Sequence, residues 1–338
     1  MIARPLKATL HPRNRFRAGY DFERLVACRP ALAPFVTPNA YGNPSIDYAN
    51  PAAVKALNQA LLADAYGLQA WDVPPGYLCP PIPGRSDYLH RLADLLAGGD
   101  NRMIPRGRSV AVLDIGMGAN CIYPLVGASE YGWRFVGSEI DPVALAWAQT
   151  LVAAHPAVRD LIECRVQRSA AACFAGVVGP DEVFDLSMCN PPFHASAEAA
   201  AASSRRKRRG LGDQAGADTV LNFGGVPVEL WCDGGELAFV RRMIAESAAF
   251  SRRCRWFTTL ISTREHLPRL YRSLRAVGAA DVKTIDMAHG QKQSRILAWT
   301  FTLAAPETAP ETRSHRPPAP TTPGIGKRRR RPPPRRST

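Results

Sequence analysis

Short apolar runs alternate with helical patterns along most of the chain after residue 109. The runs with strand character cover residues 110–115, 133–138, 161–166, 183–186, 254–261, 282–287 and 296–303. Helical segments lie between them, one beginning at Ala119 and the others covering residues 142–154, 235–249 and 264–277. Strands that alternate with helices in this way predict an α/β fold with a parallel, doubly wound sheet.

The chain before this region has a different pattern. One helix is predicted over residues 50–62, where an early proline suits the first helical turn, and a second helix over residues 86–96. A proline-rich loop, residues 73–85, separates the two helices. We therefore predict an N-terminal helical extension over residues 1–105, followed by a main domain over residues 106–304.

Two stretches interrupt this regular pattern and carry clusters of positive charge. An insertion over residues 195–234 separates the fourth strand from the next helix, and a basic tail rich in Pro and Arg covers residues 305–338. The tail has too few apolar groups to fold, so we expect it to be disordered. The insertion contains five consecutive cations, which are Arg205, Arg206, Lys207, Arg208 and Arg209. Such a run is either a solvated surface or a contact for phosphate groups.

The formal net charge of +14 favours a polyanionic partner. The tail holds nine Lys/Arg and two Glu, so a surplus of +7 remains on the rest of the chain. Part of that surplus lies in a basic N-terminal segment that also contains an aromatic ring, and its arginines are Arg13, Arg15 and Arg17. This segment is either a solvated arm or an arm that contacts RNA phosphates.

Composition also disfavours several classes of protein. No run of 18 or more apolar residues is present and the N-terminus lacks an apolar signal core, so we expect a soluble, cytoplasmic protein without a membrane partner. The eight cysteines are scattered without a Cys-x-x-Cys pair, and no histidine cluster has metal-binding spacing. We therefore expect reduced thiols and no metal site. We also expect a monomeric chain.

The fourth strand leads into Asn190-Pro191-Pro192-Phe193. The two prolines end the strand, because proline cannot donate to the hydrogen-bond ladder. The resulting loop offers an amide at Asn190, a carbonyl at Pro191 and an aromatic ring at Phe193. Two acceptors that take the hydrogens of a nucleobase amine would make its nitrogen more nucleophilic, while a stacked ring holds the base. The loop is therefore a candidate catalytic site for amino-group methylation. A proline-rich turn with a core phenylalanine is the structural alternative.

A candidate cofactor site follows the first strand of the main domain. Gly116 and Gly118 allow a tight turn at a helix N-terminus, where the backbone closely approaches a ligand. Glu139, at the end of the second strand, has the position of an acid that accepts hydrogen bonds from ribose hydroxyls. Asp114, directly before the glycines, would repel a pyrophosphate but suits a cationic aminoacyl sulfonium. These residues favour S-adenosylmethionine over a nicotinamide cofactor.

Six segments carry a family resemblance, and they occur in order: IDYANP at 46–51, PPIPGR at 80–85, DIGMGANCIYPL at 114–125, NPPF at 190–193, ELWCDGGE at 229–236 and GQKQSR at 290–295. Together they resemble the bacterial RlmF family of 23S rRNA adenine-N6 methyltransferases, relatives of eukaryotic methyltransferase-like enzymes. The resemblance covers about residues 10–303. It implies a class I, Rossmann-like methyltransferase domain that depends on S-adenosylmethionine, with a seven-stranded sheet whose last strand is antiparallel.

The resemblance also implies roles for residues of the cofactor site. Gly116 and Gly118 would approach the methionine part of S-adenosylmethionine, and Glu139 would bind its ribose. Arg85, in the proline-rich segment, would bind the methionine carboxylate. Asp114 lies in the same matching segment as the two glycines.

The implied substrate contacts lie in the catalytic loop and in the basic segments. Asn190 and Pro191 would accept the N6 hydrogens of adenine, next to Pro192, and Phe193 would stack on the base. The arginines at 13, 15 and 17 and the five cations of the insertion would hold RNA phosphates. The implied partner is 23S rRNA, either free or in an assembling large ribosomal subunit.

Two alternatives stay open on the residues alone. A planar protein amide also fits an Asn-Pro-Pro-aromatic loop, so the substrate could be a glutamine side chain of a protein. The chain could also be a non-catalytic RNA-binding or ribosome-assembly factor on a methyltransferase fold. The basic segments favour RNA over protein, and the combination of Asp114, Gly116, Glu139 and Asn190 favours an enzyme.

Overall fold

The structure, a computed structural model, describes residues 10–98, 103–192, 194, 196, 229, 231–289 and 292–302. The predictions for Phe193, for the five cations of the insertion and for the basic tail fall outside these residues. One compact unit extends from Met1 to Leu303, and a second unit comprises Ala304 to Thr338. The first unit contains both the N-terminal extension and the sheet domain.

The N-terminal extension contains three helices and a small hairpin. Its elements are α1 (Phe22–Cys28), β1 (Val36–Pro38), β2 (Pro44–Ile46), α2 (Pro51–Tyr66) and α3 (Ile82–Ala97). The side chain of Asn50 caps α2 by accepting hydrogen bonds from the backbone of the first turn, and Gly67 ends the helix in a left-handed conformation. The sequence analysis missed α1 and the hairpin, which are too short to show a clear period.

Helix α3 begins at Ile82, four residues before the predicted start at residue 86. Pro83 lies in its first turn, where a missing N–H costs no intrahelical hydrogen bond. The loop therefore ends at Pro81, and Arg85 is a helical residue with a buried side chain. This correction places Arg85 on a rigid element.

Seven strands form the main sheet of the described chain. Three strands occupy its first half along the sequence, namely β3 (Ala111–Ile115), β4 (Arg134–Glu139) and β5 (Ile162–Val166), and four follow, namely β6 (Phe184–Cys189), β7 (Cys254–Ile261), β8 (Asp281–His289) and β9 (Lys292–Thr300). Their order across the sheet is β5-β4-β3-β6-β7-β9-β8. The last strand, β9, is antiparallel to β7 and β8, whereas the other neighbouring pairs are parallel. The predicted α/β class and the antiparallel last strand are confirmed.

Two strands differ from their predicted bounds by three residues or more at an end. Strand β6 continues to Cys189, because the prolines that stop it lie only at 191 and 192. Strand β9 already begins at Lys292, four residues before the predicted start at Ile296, and residues 292–295 pair with β8. Arg295 is buried there, and its Nε lies 3.3 Å from Oδ1 of Asp286 on the paired strand.

The two faces of the sheet pack against different helices. Helices α4 (Ile122–Tyr131) and α5 (Pro142–Ala153) share one apolar core with α2 and α3, and this core includes Val112 of β3. Helices α6 (Gly235–Ser247) and α7 (Leu267–Ala276) share the other core, which includes Leu113. Adjacent strand residues point to opposite faces, so both faces of the central strands are buried.

Candidate active site

Strands β3 and β6 are adjacent and parallel at the centre of the sheet. Asp114 pairs with Met188, and Ile115 pairs with Cys189. The glycine turn and the Asn-Pro-Pro loop therefore leave the same edge of the sheet side by side. The strand order reverses at this point, and crevices of this kind bind ligands in open α/β sheets.

A backbone hydrogen bond joins the glycine turn after β3 to the side chain of Glu139. Gly116 and Gly118 have φ values of 69° and 66°, in the left-handed region that favours glycine. The N–H of Gly118 donates to Oε2 of Glu139 at 2.9 Å. A Cβ at Gly116 would meet no atom within 4 Å, so the turn faces open space. The structure thus brings three of the predicted cofactor residues together.

Glu139 is buried and oriented by backbone groups. Its Oε1 accepts hydrogen bonds from the N–H groups of Ile140 at 2.8 Å and Asp141 at 3.0 Å, while Oε2 binds the Gly118 N–H. Burial raises the pKa of this carboxyl, and the three amides act in the opposite direction. A carboxylate oxygen has about two acceptor sites, so Oε2 keeps one for a ligand hydroxyl.

Asp114 and Arg85 are buried next to the turn with polar atoms that no group in the described chain satisfies. Both carboxylate oxygens of Asp114 and the Nε of Arg85 are buried without a hydrogen-bond partner. Another nitrogen of Arg85 donates to the hydroxyl of Tyr123 at 2.5 Å. A buried polar group without a partner is costly, so these atoms fit a ligand that carries both a cation and an anion. The aminoacyl group of S-adenosylmethionine has that charge pattern.

Burial raises the pKa of Asp114 from 3.8 to about 8, although Arg85 lowers it. Between about pH 4 and pH 8, the Asp114 carboxyl is therefore protonated in the folded chain but ionised in the unfolded chain. The contribution of this carboxyl to the free energy of unfolding falls as the pH rises through that range. A cationic ligand prefers the ionised form. We expect S-adenosylmethionine affinity to rise with pH up to about 8.

The measurement is isothermal titration from pH 6 to 9 with the wild type and Asp114→Asn. The ligand's own amino group titrates near pH 8, so the ratio of the two affinities isolates Asp114. This ratio should rise by up to about tenfold per pH unit and level off above pH 8. A ratio that does not change with pH would show that Asp114 does not bind the cation.

The loop that precedes α3 contacts the loops that follow β3 and β4, which no local sequence pattern indicates. The hydroxyl of Tyr77 donates to Oδ2 of Asp141 at 2.6 Å, which raises the pKa of Tyr77 to about 12. The carbonyl of Leu78 accepts a long hydrogen bond, 3.4 Å, from the side chain of Asn120. Residues 73–81 are hereafter called the covering loop. It connects the N-terminal extension to two loops of the sheet domain.

Glu229 joins the covering loop to the glycine turn. Its Oε2 accepts a hydrogen bond from the N–H of Leu78 at 3.0 Å, and its Oε1 lies 3.5 Å from the position of a Cβ on Gly118. The family resemblance included Glu229 without indicating a role. A sequence separation of 151 residues explains why no local pattern shows this contact.

Replacement of Glu229 by alanine should weaken S-adenosylmethionine binding roughly fivefold. The substitution removes an acceptor worth about 1 kcal/mol from the Leu78 N–H, so the covering loop should loosen. Titration calorimetry measures the affinity, and hydrogen exchange of residues 73–81 measures the loop. Asp233→Ala removes an exposed acid nearby and is the matched control. Equal affinities for the two variants would contradict the role of Glu229.

The Asn-Pro-Pro loop lies at the end of a firmly held strand. The carbonyl of Ser187 in β6 accepts a hydrogen bond from Thr258 Oγ1 at 2.8 Å, and that hydroxyl is 2.7 Å from the hydroxyl of Tyr88 in α3. Pro191 is buried, whereas Asn190 and Pro192 are half-buried. The Asn190 side chain has no hydrogen-bond partner among the described residues, so its amide is available to a ligand.

The chain beyond this loop returns to it. His194 forms a parallel β-bridge with Trp231, and the carbonyl of His194 accepts a hydrogen bond from the N–H of Cys232 at 3.1 Å. This pairing closes the base of the insertion. Residues 231 and 232 therefore lie beside His194, close to the Asn-Pro-Pro loop, which the sequence alone does not indicate.

The predicted RNA-binding arginines of the N-terminal segment lie on the folded surface. Arg13 donates to Asp94 at 2.6 Å, and Arg15 donates to Glu130 at 2.9 Å. Arg17 is exposed, and its backbone N–H donates to the carbonyl of Asn14 at 3.1 Å, while its side chain has no hydrogen bond or ion pair to the described part of the chain. The segment is thus folded through intramolecular contacts. Phosphate contacts by these arginines stay a prediction.

A protein-family model described as RNA methyltransferase matches residues 4–303. The chain belongs to this family. The protein named Ribosomal RNA large subunit methyltransferase F from Serratia proteamaculans is similar, with 55% identity over 304 residues and 90% of each chain covered. A protein of the same name from Marinomonas sp. is 53% identical over 297 residues, 87% of this chain and 91% of its own. The resemblance to the RlmF family is thereby confirmed.

Solved structures of RNA methyltransferases have the same fold. The human METTL16 catalytic domain in complex with a MAT2A 3′UTR hairpin is 30% identical with a TM-score of 0.72, covering 87% of this chain and 96% of its own. The N-terminal domain of human METTL16 in complex with SAH is 29% identical with a TM-score of 0.69, covering 87% and 99%. The predicted class I fold and S-adenosylmethionine as cofactor are confirmed.

Other site types are not found in the described residues. No group of three or more His, Cys, Asp or Glu side chains there has the arrangement of a metal site. All eight cysteines lie in described segments and are free thiols, five of them buried. None of the helices described is both long and apolar enough to cross a membrane.

Proposed function

We propose that this RNA methyltransferase transfers the methyl group of S-adenosylmethionine to N6 of one adenine in 23S rRNA. The observation that carries the proposal is the adjacency of the Asn190 loop to the glycine turn across the β3–β6 pair. The ribosomal names of relatives more than 50% identical favour large-subunit rRNA as the substrate. A cytoplasmic monomer that acts on rRNA is part of this proposal.

The chain's own residues bind and orient the reactants. Asp114 and Arg85 hold the two charged ends of the cofactor's aminoacyl group, and Glu139 accepts from a ribose hydroxyl. The cofactor supplies a methyl group on a positively charged sulfur. Fixed carboxylates and amides in a buried site need little reorganisation during the reaction, which is the main source of electrostatic catalysis.

The Asn-Pro-Pro loop activates the adenine amine by accepting a hydrogen bond from each of its two N–H groups. The Asn190 side-chain oxygen and the Pro191 carbonyl are the acceptors, and they concentrate the nitrogen lone pair towards the cofactor. No residue has to act as a strong base, because the methylated ammonium loses its extra proton to water. The adenine must leave its stack to reach this loop, which favours an RNA loop or bulge over a regular duplex.

Mapping of N6-methyladenine in 23S rRNA tests the proposal. Cells that lack this protein should lose one modified adenine, and the purified chain should restore it with labelled S-adenosylmethionine. Naked 23S rRNA and particles from the deficient cells are assayed in parallel to find the preferred form. Label in a ribosomal protein, with none in rRNA, would favour glutamine methylation instead. Cofactor binding without transfer to any of these would indicate a non-catalytic factor.

A further inference from the structure

The net positive charge of the main domain comes mostly from one stretch of the chain, because the cations of the insertion are outnumbered by acids elsewhere in residues 106–234. Residues 235–276 contain nine arginines and three acids, a net charge of +6. Residues 106–234 contain eleven Lys/Arg and fourteen Asp/Glu, a net charge of −3. The stretch 235–276 includes α6, β7 and α7. Helix α6 has two arginines and two glutamates, whereas α7 has three arginines and no acid, so the excess positive charge of these two helices lies on α7.

Two of the three acids in this stretch are occupied by backbone groups. Glu236 is 1% exposed and accepts hydrogen bonds from the N–H groups of Ser262 and Thr263. It also lies 2.8 Å from Nδ1 of His266. Glu246 accepts from three N–H groups, those of Cys173, Phe174 and Ala175. These carboxylates therefore stabilise loops and do not neutralise the arginines on the surface.

Helix α7 separates apolar and basic residues onto opposite sides. Its buried side chains are Leu267, Leu270 and Leu274. Its exposed cations are Arg269, Arg272 and Arg275. None of these three forms an ion pair within 4 Å in the described structure, and even Glu265, one turn before Arg269, is not within that distance.

The spacing of these arginines is unfavourable for the helix alone. Side chains three residues apart are neighbours on a helix surface, and like charges there cost about 0.2–0.5 kcal/mol per pair. The 269–272 and 272–275 pairs both have this spacing. A surface that only had to be soluble would gain from alternating acids and bases at these positions. The uncompensated cations thus suit an anionic partner.

The basic face of α7 begins near the catalytic loop. Strand β7 is parallel to β6, so the end of β7 at Ile261 lies at the same edge of the sheet as Asn190. From Arg264, just after that edge, the arginines continue along α7 to Arg275. At about 1.5 Å per residue this path is about 16 Å long. A nucleic-acid strand has one charge per roughly 3.4 Å, so the path matches four to five phosphates.

We propose that the exposed face of α7, with Arg269, Arg272 and Arg275, binds the phosphate backbone of the RNA substrate beside the target base. RNA is the partner indicated by the uncompensated positive charge of this face and by its start at the edge of the sheet that carries Asn190. The three arginines of α7 are different residues from the N-terminal arginines and from the five cations of the insertion. The proposal needs an RNA substrate but does not depend on which base or atom is methylated.

The test compares two triple variants of the full-length chain. R269Q/R272Q/R275Q removes the charges of α7, and R108Q/R134Q/R159Q removes three exposed arginines elsewhere on the domain, so both lose the same charge. Fluorescence anisotropy with a labelled fragment of 23S rRNA measures the dissociation constant from 50 to 300 mM KCl. Melting temperature and S-adenosylmethionine affinity without RNA verify that both variants are folded.

The α7 variant should bind RNA roughly tenfold or more weakly near 0.1 M salt, and the slope of log K against log salt should decrease by about two. The control variant should stay within about twofold of the wild type. Wild-type affinity and slope in the α7 variant would overturn the proposal. An equal loss of RNA affinity in both variants would also overturn the proposal, because the affinity would then depend on the net charge of the protein and not on the α7 face. A failure to detect N6-methyladenine leaves this binding result unaffected.

Discussion

Replacement of Asn190 by alanine should reduce the methylation rate on RNA by about 100-fold or more, while S-adenosylmethionine binding stays close to that of the wild type. The side chain has no hydrogen-bond partner among the described residues, so its removal leaves no buried group unsatisfied. Its amide oxygen is available for one hydrogen of the substrate amine. The loss should therefore appear in the chemical step and not in folding or in cofactor affinity.

Single-turnover kinetics with labelled cofactor and saturating rRNA measure this effect. Cofactor affinity and melting temperature of the same variant are the internal controls. Asn190→Asp keeps an acceptor but adds a negative charge, so it should retain more activity than the alanine variant. Near-normal turnover of Asn190→Ala would show that another group accepts from the substrate amine.

The second large effect is expected at Glu139. Glu139→Ala should weaken S-adenosylmethionine binding by about 100-fold or more, because a ribose acceptor and the support of the glycine turn are lost together. Three backbone N–H groups, including that of Gly118, would lose their buried acceptor. Each such orphaned donor costs about 1–3 kcal/mol, so the free energy of unfolding should also fall.

Glu139→Gln separates the two contributions. Its amide has the same size and retains one acceptor oxygen, so it should be intermediate in both affinity and stability. Glu163→Ala removes an exposed acid from the neighbouring strand and should change neither property markedly. Calorimetric titration and urea unfolding are the measurements. An alanine variant that binds the cofactor as tightly as the control does would exclude Glu139 from the cofactor site.

The sequence was sufficient for the sheet and for the core of the site, because both depend on local patterns. Apolar runs of four to eight residues indicated the buried strands, and their order with the helices indicated a doubly wound sheet. Asp114 lies at the end of one predicted strand, and Gly116 and Glu139 directly follow the first and second predicted strands of the main domain. Parallel strands bring their carboxyl ends to one edge, so the proximity of these residues follows from the pattern alone.

The rest of the site depends on contacts between distant parts of the chain. Leu78 and Glu229 meet across 151 residues, and Tyr77 reaches Asp141 across 64. No period or spacing in the sequence indicates such pairs. The same reason explains why Arg13 gave no sign of its contact with Asp94, which is 81 residues away.

The covering loop has a consequence for how substrate choice changes in evolution. An appended recognition module is usually exchangeable, since it meets the catalytic domain only through a linker. Here the extension contacts the loops beside the glycine turn through Tyr77 and Leu78, and it also contains the buried Arg85. With the cofactor roles proposed above, exchange for a foreign extension would remove part of the methyl-donor site. We therefore expect stepwise substitutions in the extension to preserve methyl transfer better than exchange of the whole extension does.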